Sequence, residues 1–174
     1  MDDSELARCE LVMEQHGVRA LRDRLALTSN ELSEFLVYRA SGGGTIWPTE
    51  LVQLGANPNF CDDEGNTALS RCVHARYDSR SSRTDTFLTA IELLSLGADP
   101  NQRYSTFCSV TSLAASSGQA DFVALFLLAG ADLTLAEGDF GGSLSEYLST
   151  SERPWVRQLL QLINAATPPV ASPR

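Results

Sequence analysis

Apolar residues in this chain fall in short bursts at helical spacing, and polar turns separate them. The clearest burst is "ADFVALFLLAG" (120–130), where Phe122, Val123, Leu125, Phe126, Leu127 and Leu128 predict a strongly apolar helix. Gly130 closes it, because a helix commonly ends in a left-handed residue, where glycine carries no Cβ penalty. Ahead of it, Ser109 is placed to cap a first helix carrying Leu113, Ala114 and Ala115, which Gly118 ends. The small alanines let neighbouring helices approach closely. The same closing phrase stands at "LVQLGANPNF" (51–60) and "LLSLGADPNQ" (93–102), and in worn form at "LLAGADLTLA" (127–136).

Aligning Gly55, Gly97 and Gly130 sets a register of repeats. "GNTALSRCV" (65–73), "FCSVTSLAASSG" (107–118) and "FGGSLSEYL" (140–148) each begin ten residues after one of these glycines, and "LSEFLVYRASGG" (32–43) leads to Gly55. The units are 31–63, 64–105, 106–138 and 139–166. The glycines lie 42 and then 33 residues apart. The nine extra residues fall within "RYDSRSSRTD" (76–85), which has no apolar period and predicts an exposed loop between the two helices of the second unit. It reads either as a tolerated insertion or as an added contact element with phosphorylation targets at Ser79, Ser81 and Ser82. Residues 1–30 predict a helical cap, with one helix ending near Gly17 and another through Leu21 and Leu25. "RPWVRQLLQLINAA" (153–166) predicts a last outer helix, and "TPPVASPR" (167–174) a disordered tail.

The stretches "TSLAASSGQADFVALFLLAGAD" (111–132), "GNTAL" (65–69) with "IELLSLGADPN" (91–101), and "LVQLGANPN" (51–59) resemble the ankyrin repeat. The resemblance covers about 135 residues and implies an all-α solenoid of stacked helix–turn–helix units with short β-hairpin fingers. The family's Thr-Pro-Leu-His tetrapeptide is replaced by Glu-Phe-Leu-Val (34–37), Thr-Ala-Leu-Ser (67–70), Ser-Val-Thr-Ser (109–112) and Gly-Ser-Leu-Ser (142–145). The proline and histidine are gone from every unit. In the family that histidine links neighbouring repeats, and serine replaces its hydrogen bonds only in part, so modest stability is expected.

Composition narrows the function. A net charge of −9 with pI near 4.6 argues against a nucleic-acid binder, which needs a basic stripe. It favours a basic partner. No run of 18 apolar residues spans a bilayer, and the acidic start "MDDSELARCE" lacks a secretory signal pattern. Cys9, Cys61, Cys72 and Cys108 form neither a dense disulfide framework nor a CxxC pattern, so reduced thiols in a cytoplasm are expected. All thirteen basic residues are arginine. Average composition would supply roughly ten lysines. Their absence reads as GC-rich coding or as avoidance of ubiquitin attachment.

Catalytic patterns are weak. Cys72 and His74 stand two apart and would point in different directions on one helix. "SGGGT" (41–45) lacks the Lys-Ser/Thr and the preceding strand of a phosphate loop, and "EGDFGG" (137–142) has no such context either. Two histidines with scattered cysteines do not read as a zinc site. No cofactor, metal or catalytic residue is expected.

A binding surface remains. The resemblance implies a concave face built from finger tips and first helices. Finger one supplies Asp62, Asp63, Glu64 and Asn66; finger two supplies Arg103, Tyr104, Ser105, Thr106 and Phe107; finger three supplies Glu137, Asp139 and Phe140. The first helices add His74, Ser116, Ser117, Ser149 and Thr150. Tyr104 and Phe107 beside Arg103 have hot-spot composition, or the phenylalanines pack between fingers. The acidic tips are a negative field, or simply solvated turns. The expected function is a non-enzymatic module, monomeric when free, that binds one protein partner as an adaptor or as an inhibitor by occlusion. Its specific forms are an immunity-type inhibitor of a basic toxin or enzyme, and a lysine-free ubiquitin-ligase adaptor or effector in a eukaryotic cytoplasm. A third comparison, with four-repeat cyclin-dependent-kinase inhibitors, rests on size and charge alone. An enzyme is the remote alternative.

Overall fold

Side-chain caps mark the helix starts at Asp3, Ser29, Ala68, Val110 and Leu144. In the computed structural model, which describes residues 1–42, 47–75, 83–103, 108–137, 142–150, 154–156, 158 and 161, the elements run α1 (Asp3–His16), α2 (Arg19–Leu25), α3 (Ser29–Ala40), α4 (Trp47–Gln53), α5 (Ala68–His74), α6 (Arg83–Ser95), α7 (Val110–Ser116), α8 (Ala120–Leu128), β1 (Ala136–Glu137), β2 (Gly142–Ser143) and α9 (Leu144–Thr150). The chain is mostly helical, and among the described residues the only sheet is the β1–β2 pair. Asp2 with Glu5, Thr28 with Glu31, and Thr67 with Ser70 form reciprocal capping boxes that satisfy first-turn amides. Ser109 accepts from Ser112 N at the start of α7, and Ser143 exchanges bonds with Glu146 at the start of α9.

The three glycine phrases fold alike. Gly55, Gly97 and Gly130 have φ of 107°, 91° and 95°. The next residue in each case donates five residues back, from Ala56 to Leu51, Ala98 to Leu93 and Ala131 to Phe126, which closes the helix carbonyls. Asn57, Asp99 and Asp132 then accept from the amide two residues on, forming three equivalent turns. The last residue of each full phrase reaches the next unit. Asn59 donates to Gly97 O at 2.9 Å and accepts from Asp99 N at 2.7 Å. Asn101 repeats this with Gly130 O at 3.2 Å and Asp132 N at 2.6 Å. Thr134 stands where the third asparagine would be, and its hydroxyl turns back to Asp132.

Helices pair as α1 with α2, α3 with α4, α5 with α6 and α7 with α8. The first helices α3, α5 and α7 stack in order, and α4 stacks on α6. Ala40, Ala68, Cys72, Ala114 and Ala115 are buried in the stack, where small side chains permit close approach. Cys72 Sγ donates to Ala40 O at 3.5 Å. Phe122 packs edge-on against Phe87 and beside Phe126, joining the α7–α8 pair to the α5–α6 pair. The α1–α2 hairpin closes the other end through buried Cys9 and Leu21 and an Arg39–Glu10 ion pair at 2.8 Å.

Three boundaries differ from the sequence register. The tetrapeptide 34–37 lies inside α3, not at its start, because the Thr28–Glu31 capping box begins the helix at Ser29. The insertion is not all loop: 83–85 already belong to α6, which starts four residues earlier relative to its closing glycine than α8 does. The rest, 76–82 with Ser79, Ser81 and Ser82, lies outside the described residues. The α9 cap is Ser143, thirteen residues after Gly130, where Thr67 and Ser109 follow their glycines by twelve. The expected tail 167–174 and most of 153–166 also lie outside the described residues.

Candidate interaction surface

Residues from four separate segments meet in one open groove of about 550 Å³. One wall is α3. Its spacing of four puts Glu34 and Tyr38 on the same helical face. The opposite wall is the first finger, from Phe60 to Glu64, with Arg71 of α5 beneath it. The start of α1 closes one end with Asp3 and Leu6, and the Met1 ammonium pairs with Glu34. Five carboxylates therefore face the groove: Asp3, Glu34, Asp62, Asp63 and Glu64. Tyr38 is 40% exposed, and its ring stacks on Phe35 at 6.2 Å between centroids. Partial burial, and then the charge of Glu10, push its hydroxyl above the ordinary value, so it stays protonated at neutral pH.

The acidic finger is partly structural. Asp62 Oδ1 accepts from the Glu64 and Asn66 amides at 3.0 and 2.7 Å, and Asn66 is buried with its side-chain amide donating to Asp62 and, at 3.2 Å, to Glu64. Asp62 and Asn66 shape the finger; Asp63 and Glu64 are the exposed acids. Arg71 Nη2 lies 3.4 Å from Asp62 and 3.3 Å from Glu64, and Arg71 Nε is buried with no hydrogen-bond partner among the described residues.

The other expected contact residues are not lining residues of this groove. Arg103 is exposed and forms a backbone bridge with Ser109. Ser116 is exposed and bonds Leu113 O, while Ser117 is half-buried at the end of α7. Ser149 and Thr150 both bond Glu146 O, the carbonyl one turn back. His74 is half-buried; burial, and then Arg71, hold its imidazole below the ordinary value. Glu137 lies in β1. Tyr104, Ser105, Thr106, Phe107, Asp139 and Phe140 lie outside the described residues. Glu34, Tyr38, Phe60 and Arg71 were not singled out in the sequence. A Glu-x-x-x-Tyr spacing on one helix was the available signal, but it fell where the register placed a helix start.

Burial pushes the Cys72 thiol far up, so it is a packed core group beside the Ala40 carbonyl rather than a thiolate. Among the described residues, no group of three or more His, Cys, Asp or Glu is placed to hold a metal ion, and no helix is long and apolar enough to cross a membrane. Compared with known protein families the chain matches no family model, and no curated protein matches it significantly.

Proposed function

We propose that the chain is a degenerate ankyrin-repeat array and works as a non-enzymatic protein-binding module. Its partner docks on the face made by the fingers and first helices, and the module acts as an adaptor or as an inhibitor by occlusion. One observation carries this reading: the acidic groove beside α3, with a half-exposed tyrosine in its wall. An exposed aromatic amid charges is the composition of interface anchors. The carboxylates favour a basic partner and would chiefly raise the association rate.

The test is a comparative pull-down from native lysate with kinetics on the captured protein. The wild type, Tyr38→Ala, the pair Asp63→Asn with Glu64→Gln, and the outer-helix control Leu88→Ser are immobilised in parallel. A protein lost from both groove-face variants but kept by the control supports the reading. A protein lost only from the Leu88 variant moves the interface to the outer helices and ends it.

A second reading is favoured by the absence of lysine. An adaptor that holds a target beside a ubiquitin ligase benefits from offering no side-chain amine of its own. Replacing exposed Arg24 by lysine would then shorten the protein's half-life in a eukaryotic lysate that conjugates ubiquitin. An unchanged half-life leaves the missing lysines to coding bias.

A further inference from the structure

The carboxylates of the groove already hold two cations, the Met1 ammonium on Glu34 and Arg71 on Asp62 and Glu64, and they hold Arg71 badly. Arg71 offers a single nitrogen, Nη2, to both Asp62 and Glu64, at 3.4 and 3.3 Å. A well-seated arginine meets a carboxylate with two parallel bonds near 2.7–2.9 Å. Arg71 also leaves Nε buried without an acceptor among the described residues, which costs stability whenever it sits there. Its side chain is 35% exposed and that of Glu64 is 78% exposed, so both can be rearranged from solvent. Across the groove, Glu34 and Tyr38 stand on one face of α3, and Tyr38 is 40% exposed. A half-exposed ring beside carboxylates suits a flat cation: the ring face attracts it and the acids receive its N–H groups. Guanidinium fits better than ammonium, because it is planar, weakly hydrated and forked.

Resting on the docking reading above, we propose that this groove takes an arginine side chain from an extended segment of the partner, against Tyr38 in the α3 wall, with Glu64 and the Met1-paired Glu34 as its acceptors, and Arg71 as an internal competitor that yields Glu64 when the partner binds. The net negative charge of the groove supplies the complementarity, and Asp63 adds to the field without holding the finger together.

The probe is a capped hexa-arginine peptide, titrated calorimetrically, with capped hexalysine at equal charge as comparison. Binding of hexa-arginine at least several-fold tighter than hexalysine is expected. Tyr38→Ala, which changes no charge, should weaken hexa-arginine about five- to tenfold. Glu34→Gln and Glu64→Gln should each weaken it, and Glu14→Gln, whose residue does not line the groove, should not. Arg71→Gln should tighten binding more than Arg22→Gln, since Arg71 and not Arg22 pairs with Glu64. Circular dichroism confirms that each variant is folded. Equal affinity for the two peptides, an unchanged Tyr38→Ala, or equal losses from Glu14→Gln and Glu64→Gln would reduce the effect to net charge and overturn the proposal. Amide shift mapping with the same peptide separates the two levels of the reading. Shifts centred on α3 and the first finger support both. Shifts at Ser116 and Ser117 overturn the arginine site and keep the docking face. Shifts confined to α4 and α6 overturn both.

Discussion

Gln119, only 1% exposed, donates its side-chain Nε2 to the carbonyl of Val73 at 2.8 Å, tying the turn before α8 to the end of α5 in the preceding unit. A buried amide spanning two units supports the stack only while both ends are satisfied. Gln119→Leu keeps the volume but leaves the Val73 carbonyl buried without that donor. It should cost about 1–3 kcal/mol in urea titration. A cost below about 0.5 kcal/mol would mean that water or backbone shift replaces the bond.

Asn59 and Asn101 make the same two-armed contact to successive units. Asn59→Ala removes two partly solvated bonds and should cost about 1–3 kcal/mol. Asn59→Asp keeps the acceptor for Asp99 N but sets a carboxylate against the Gly97 carbonyl, so its cost should shrink as pH falls below about 4. A pH-independent cost would show that the donor arm contributes little. Thr134→Asn should add nothing, because no further Gly-Ala-Asp phrase follows it in the chain.

The thiols should separate cleanly under an alkylating probe. Cys61 is exposed, while Cys9 and Cys72 are buried, and burial raises both of those thiols. Native protein should label at Cys61 first and release Cys9 and Cys72 only in denaturant, as peptide mapping by mass spectrometry can read. Partial burial, and then Asp62, also raise the Cys61 thiol, so its labelling should speed up as pH rises past 9. Rapid native labelling of Cys72 would contradict its place against Ala40.

His74 predicts a specific acid response. Burial and Arg71 hold its folded value below the ordinary 6.5. The unfolded chain therefore takes up a proton that the folded chain refuses, so stability is full above the unfolded value and falls as pH drops from there. The urea midpoint should decline between about pH 7 and 5, and His74→Gln should flatten that decline. Glu31 and Asp132, held low by hydrogen bonds from Thr28 and Thr134, lose their contribution only at lower pH, as it falls below their ordinary values of 4.5 and 3.8. An identical profile in His74→Gln would assign the decline to other groups.

The insertion divides into two parts with different expected costs. Deleting five residues within 77–81 shortens a connection and should change the urea midpoint little, since loop length enters only logarithmically. Extending the deletion through 83–85 removes the first turn of α6, next to buried Thr86, and should lower stability further. Equal effects would mean that this turn adds nothing to the array.

What the sequence by itself determined was local. Each helix end announced by Gly55, Gly97 or Gly130 formed there, because a left-handed closing residue depends on the few residues around it. Ser109 capped α7 for the same reason, and the helix through "ADFVALFLLAG" followed from its apolar spacing. Starts were less legible. Thr28 outcompeted the register at 34–37, and α6 took a turn from the insertion, because several residues along a polar stretch can cap and packing selects among them. The groove was decided by tertiary structure alone. Its walls come from the start of α1, the middle of α3, the first finger and α5, and only folding brings Glu34, Tyr38, Glu64 and Arg71 to one opening. The same folding turned the run Asp62–Asp63–Glu64, three like acids on paper, into different groups. Asp62 became the acceptor that holds Asn66 and the finger, while Asp63 and Glu64 remained at the surface, because four donors, the Glu64 and Asn66 amides, Asn66 Nδ2 and Arg71 Nη2, converge on Asp62.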